Sequence, residues 1–297
     1  MKAYQIISDS SCDLPEETTR ELGIKVVPFY VSFDGAVYKK EGEEIAVRRF
    51  YQQMVDQPNV FPKSSLPSVQ DYVDAFLPYV KEGIDIFCIC ITTKFSGSAQ
   101  SAQNAREIVL EDYPEARITV LDAQVNTVLQ GLLVLEAVKL QQEGVSYEDC
   151  IHRIRNIRES GRIFFTVGSI DYLKHGGRIG KLAGTAASVL GIKPLITLKE
   201  GEIFSSGIAR GRKKSLEKVI ALLRAYVEER HADTKGYRFC IGYGYDREEA
   251  EAFRKTAATA LADLGIIEED LPLYQIGATI GVHTGPYPLG FGVIKRA

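Results

Sequence analysis

Nowhere in the chain do about 18 apolar residues run together, and the opening MKAYQIISDSS lacks an apolar core long enough for a signal peptide. A soluble, cytoplasmic protein without a transmembrane segment is the expectation. Nor is there an arginine- or lysine-rich block, and 36 basic against 39 acidic residues leave a formal net charge of -3. That balance argues against nucleic acid as a partner, because such binding needs a basic surface. The five cysteines, Cys12, Cys88, Cys90, Cys150 and Cys240, are odd in number, and no two have the CxxC spacing of a metal knuckle or redox pair. Cys88 and Cys90 lie two apart in IFCICI, so on a strand they share a face, where a free thiol behaves as a small hydrophobe. Repeats, low-complexity tracts and long linkers are also missing. What remains is an ordinary globular composition, 45% hydrophobic and 25% charged, in a chain long enough for two α/β domains.

The first half alternates strands with helices. YQIIS is followed by the helical EETTREL, IDIFCICIT by SGSAQSAQNAREIVLEDY, and ARITVLDA by NTVLQGLLVLEAVKLQQEG. Apolar runs of this kind suit strands covered on both faces, so the expected fold is a Rossmann-like, mostly parallel sheet over residues 1–161. Between these units, KVVPFYVSF and VYKK read as a strand pair around Asp34-Gly35, and PNVFPKSSLPS reads as a loop. The second half, 162–297, reads as an α+β domain with a mainly antiparallel sheet. Its strands KPLITL and EIFSSG are separated by little more than Glu200-Gly201 and must therefore pair antiparallel. With no linker between the halves, a shared cleft is expected.

Few residues in this frame carry chemistry. Thr92 to Ser98 follows an apolar strand and opens a helix, where unpaired N–H groups and a positive dipole end can meet an anion. Ser96 or Ser98 adds a hydroxyl there, and Gly97 lets ligand atoms approach the backbone, although either serine serves equally as a plain N-cap. Ser64-Ser65 is a second hydroxyl pair. The stretch from Ile280 to Pro286 reads as an apolar strand ending in His283-Thr284, placed to reach into a cleft, whereas His152, His175 and His231 look solvated. Arg178 stands in the glycine-rich KHGGRIG, which matches neither a Walker A loop nor GxGxxG, so no nucleotide cradle is indicated.

Six stretches together resemble the DegV family in order along nearly the whole chain: DSSCDLP, PKSSLPS, TTKFSGSAQSA, LDAQVNTVLQG, LKHGGRIG and HTGPYPLG. The resemblance implies a lipid-binding protein of bacteria, the fatty-acid-binding subunit of a fatty acid kinase. Two α/β domains would bury one long-chain fatty acid and present its carboxylate to an ATP-binding kinase subunit for conversion to acyl phosphate. No cofactor or metal is implied, and the chain itself would not be the enzyme. By motif, the carboxylate contacts fall on Ser64, Ser96 and His283, with Gly97 and Thr284 beside them, and the contact with the kinase falls on Arg178. The chain departs from the family pattern at Ser64, Leu66, Ala123, Leu129 and Tyr287, and bulk at Leu129 is expected to shorten or bend the pocket.

The rival from another class is a serine hydrolase acting on acyl esters. Ser96 would be its nucleophile, His283 its base, and Asp9 or Asp122 its orienting acid. No GxSxG elbow supports it, since Phe95 precedes Ser96 where the glycine would be needed.

Overall fold

The computed structural model describes residues 4–182, 191–230 and 233–297, so His231 lies outside the described residues. The chain opens with β1 (Tyr4–Asp9), α1 (Glu16–Leu22), β2 (Lys25–Val27), β3 (Tyr30–Ser32), β4 (Lys39–Lys40), α2 (Val47–Asp56) and β5 (Lys63–Ser65). It continues through α3 (Val69–Lys81), β6 (Asp85–Cys90), α4 (Ser98–Asp112), β7 (Ile118–Asp122), α5 (Thr127–Gln142) and α6 (Tyr147–Arg158). Next come β8 (Arg162–Thr166), α7 (Asp171–His175), β9 (Ile192–Lys199), β10 (Glu202–Arg210) and α8 (Arg212–Glu229). Last are β11 (Tyr237–Tyr243), α9 (Arg247–Leu261), β12 (Leu273–Gln275), α10 (Ala278–Thr284) and β13 (Leu289–Lys295).

The first sheet, β2-β1-β6-β7, is parallel throughout, as its continuous apolar strands require. The second, β10-β9-β8-β13-β11-β12, is antiparallel except between β11 and β12. Its β9–β10 hairpin turns on Glu200 at φ 53° and Gly201 at φ 81°, the left-handed pair that a tight two-residue turn uses. A small third sheet, β4-β3-β5, stands apart.

Helix α5 explains how the two large sheets share one interior. Twelve of its sixteen residues are buried, on every side of the helix, as befits a segment enclosed all round. It packs on β1 and β6 of the first sheet and on β11 and β13 of the second. One apolar cluster therefore runs from Tyr4 and Phe87 through Leu129 and Leu133 to Ile163, Ile196 and Ile294. Gly131 permits the close approach, because a Cβ there would fall within 3.0 Å of the Cys12 carbonyl oxygen. Helices α3 and α4 cover the opposite face of the first sheet, where Cys88 and Cys90 are buried among apolar side chains. Helices α8 and α9 cover the far side of the second.

Two local readings are corrected. The stretch 280–284, read as a strand, belongs to helix α10, closed by the backbone bonds from Gly281 N–H to the Gly277 carbonyl and from Gly285 N–H to the Gly281 carbonyl. Tertiary contact outweighs the β-branched sequence ATIGVHT, since only a glycine at 281 leaves room for the Tyr51 ring. Within PKSSLPS, Lys63–Ser65 is a strand paired antiparallel with β3, Ser64 opposite Val31.

Candidate ligand-binding site

A cavity of about 240 Å³ lies between the loop after β6, the start of α5, the inner face of the second sheet and α10. Its walls are apolar: Ile91 and Val128 on one side, Ile163, Leu198 and Phe291 on the other, and Ile280 from α10. At one end the lining turns polar, with Ser64, Ser96, Arg178, His283 and Thr284. Residues far apart in sequence thus meet where strands of the parallel sheet end, as open α/β sheets favour.

His283 is the pivot of this polar end. Its Nε2 lies 3.1 Å from Ser64 Oγ, and its buried Nδ1 has no hydrogen-bond partner among the described residues. Burial, with the Arg178 charge adding to it, pushes the imidazole down to about 4, so it is neutral at ordinary pH. Gly176 presses on the ring, since a Cβ there would fall within 3.0 Å of Nδ1. Arg178 bridges two loops: Nε and Nη2 donate to the Phe95 carbonyl at 3.1 and 2.9 Å, and Nη1 donates to the Gly176 carbonyl at 2.8 Å. Ser96 Oγ accepts the Ser98 N–H at 3.2 Å. The contact leaves its own proton free for another acceptor. Gly97 is the N-cap of α4 and touches Leu66 rather than lining the cavity. Thr284 lines it, but its hydroxyl donates back to the Ile280 carbonyl at 3.1 Å.

Several features escaped sequence reasoning. Val128, not Leu129, faces the cavity; Leu129 points at Gly161 and Gly292, away from the lining. Tyr287 packs on Gly168 and crosses Tyr245 at 6.3 Å, also off the cavity. Thr127, at the first turn of α5, has φ 50°, an outlying conformation for a β-branched residue, and donates to Asp13 Oδ2 at 2.5 Å. Nothing local in the sequence marks this strain. His152 and His175 are exposed as expected, the latter stacked on Phe61 at 3.6 Å.

The hydrolase triad is not assembled. His283 approaches Ser64 rather than Ser96, and among the described residues no carboxylate meets its Nδ1. Asp9 accepts from Ser11, Gln130, Ser98 and Ile91, and Asp122 from Thr93 and Gln124.

Fold and site together define a two-sheet α/β protein enclosing an apolar cavity with a hydroxyl- and histidine-lined end. The chain belongs to the DegV family: the family model, described as an uncharacterised protein family, matches residues 3–296. Its structure is similar to that of a stearic acid-binding protein from Eubacterium ventriosum, 44% identical with TM-score 0.92 over 99% of this chain and 98% of that one. A fatty-acid-binding DegV family protein from Thermus thermophilus is 32% identical with TM-score 0.86, over 99% of both chains. A DegV domain-containing protein of Clostridium perfringens is 32% identical over 287 residues, 96% of this chain and 95% of that protein. No described helix is long and apolar enough to cross a membrane.

Proposed function

We propose that the protein binds one long-chain fatty acid, with its tail in the cavity and its carboxylate at Ser64, Ser96 and His283, and presents that carboxylate to a separate kinase. The observation that carries this reading is the Ser64–His283 pair at the polar end of an apolar cavity. Each buried methylene contributes about 0.8 kcal/mol, so the tail supplies affinity while the hydroxyls and the neutral imidazole fix the head. Binding by the related Eubacterium and Thermus proteins supports the choice of ligand. Among the described residues the site assembles no nucleophile-base-acid triad around Ser96, which favours a carrier over an esterase. Organic extraction of the purified protein followed by lipid mass spectrometry tests the ligand; an extract free of fatty acid would refute it.

Arg178, exposed beside the cavity's polar end, is assigned to the kinase contact that leads to acyl phosphate. Arg178→Ala is expected to leave stearate affinity within a few-fold of the parent while slowing acyl phosphate formation by a cognate kinase. Lysine rescues only in part, because it cannot reach the Phe95 and Gly176 carbonyls with one planar fork. Loss of stearate binding with normal kinase association would move Arg178 into the carboxylate site.

A further inference from the structure

Two carboxyl groups meet in the interior without a cation between them. Asp13, in the loop after β1, and Glu41, just after β4, are both buried. Glu41 Oε2 accepts Ser10 Oγ at 2.6 Å and Thr279 Oγ1 at 2.8 Å, and its Oε1 accepts the Thr279 N–H at 3.0 Å. Asp13 Oδ2 accepts Thr127 Oγ1, whereas its buried Oδ1 lies against the Gly277 backbone N–H without a well-formed hydrogen bond among the described residues. A Cβ added to Gly277 would fall inside 3.0 Å of both Asp13 Oδ1 and Glu41 Oε1, so these two oxygens flank one point of the backbone just before α10.

Among the described residues the surroundings offer no side-chain cation, and the compensation comes from the N–H groups of Gly277, Ala278 and Thr279 at the start of α10. Asp9 and Cys12 face the pair from the end of β1, and Tyr51 faces it from α2, its hydroxyl 3.4 Å from the Gly277 carbonyl. Tyr243 of β11, Glu43 and Arg247 line the groove outside, and Arg247 pairs with Glu251. Among the described residues, no lysine, arginine or histidine makes an ion pair with either acid. Two ionised carboxylates in such a place repel across a low dielectric, and an oxygen without a well-formed hydrogen bond adds its own penalty.

We propose that Asp13 and Glu41 hold one proton between them, as an O–H···O bond from one carboxyl to the other, and that this bond clamps the start of α10 to the first sheet. The orphaned Asp13 Oδ1 then has its partner. Burial holds both groups above the ordinary carboxylate range, and the Glu41 charge raises Asp13 further. Because α10 also carries Thr279, Ile280 and His283 into the cavity, removing the proton sets two carboxylates against each other at the start of the helix that positions the polar end. The sign follows from linkage. The unfolded acids release their protons near pH 4, whereas the folded pair keeps one to higher pH, so the clamp's stability is complete below about pH 4 and declines as pH rises toward the folded titration.

Infrared spectroscopy of the ligand-free protein at pH 7 tests the proton directly. The parent should show the carbonyl stretch of a neutral carboxylic acid, and that component should be lost in both Asp13→Asn and Glu41→Gln. Each amide can donate to the remaining carboxylate, so a folded variant is expected from at least one of them. Absence of the band in the parent, or its full persistence in a folded variant, would overturn the shared proton. Coupling to the cavity rests on the fatty-acid reading and is measured separately, by stearate titration between pH 6 and 9. The parent should lose affinity at the alkaline end more steeply than Asp13→Asn. Equal pH profiles with the infrared result intact would overturn the clamp on α10, whereas no stearate binding by the parent at any pH would instead count against the fatty-acid reading.

Discussion

Replacing Ser64 by alanine should damage the protein in two separable ways. Without ligand, the Ser64 hydroxyl is the hydrogen-bond partner of His283 Nε2, and Nδ1 already has none among the described residues. The variant therefore leaves a buried imidazole with neither nitrogen paired, a desolvation penalty of about 1–3 kcal/mol. The strand itself is expected to survive, since its ladder to β3 is made by backbone groups. With ligand, the loss is a hydrogen bond to a charged carboxylate, about 1.5–3 kcal/mol, or roughly ten- to 150-fold in affinity. Urea denaturation of the free protein reads the first effect and calorimetric titration with stearate reads the second. Ser64→Thr restores the hydroxyl and should recover most of both. Unchanged stearate affinity in the alanine variant, or threonine behaving as badly as alanine, would show that the hydroxyl does not face the head group.

Ser96→Ala should weaken stearate binding roughly tenfold or more by the same reasoning. An unaltered titration would remove Ser96 from the site. His283 sets an acid limit on stability: the folded imidazole, held at about 4, refuses a proton that the unfolded one accepts near 6.5. The unfolded state therefore binds more protons between those values, and stability should fall by up to about 3 kcal/mol as pH drops from 6.5 to 4. Denaturation of His283→Gln across that range should lack this component; an identical slope would mean the imidazole is not held neutral.

How much of this was legible in sequence depended on whether the signal was local. The parallel sheet was, because IDIFCICIT is a near-continuous apolar run and both it and ARITVLDA precede a long helix. The β9–β10 hairpin was too, since Glu200-Gly201 leaves no room for a crossover. Helix α10 was not: ATIGVHT has β-branched residues and two flanking glycines, and its helical state comes from contacts with Tyr51, Asp13 and Glu41 more than two hundred positions away. The polar end was legible only in pieces. Ser64 and His283 are separated by 219 positions, and no periodicity joins them. Leu129 misled because neighbouring positions on a helix buried all round face different walls, and a sequence with no polar side cannot show which wall is the cavity.

The opening DSSCDLP motif illustrates why acidic residues at strand ends need not touch a ligand. Asp9 Oδ2 accepts the Ile91 N–H at 3.0 Å and Ser98 Oγ at 2.7 Å, and Oδ1 accepts Ser11 Oγ at 2.5 Å and Gln130 Nε2 at 2.8 Å. These four donors lower the Asp9 pKa, but burial outweighs them and holds it above the ordinary carboxylate range. Because Ser98 gives its only proton to Asp9, the Tyr72 hydroxyl, 2.6 Å away, must donate to Ser98. One side chain thus joins the ends of β1 and β6, the first residue of α4 and the body of α5. The loop from Thr92 to Gly97 is stretched between two of those anchors, Ile91 and Ser98, so Ser96 is positioned by Asp9 without contacting it. Burial raises Asp9 and Asp13 alike, but four donors oppose it at Asp9 and fewer at Asp13, so Asp13 gains more from a proton shared with Glu41.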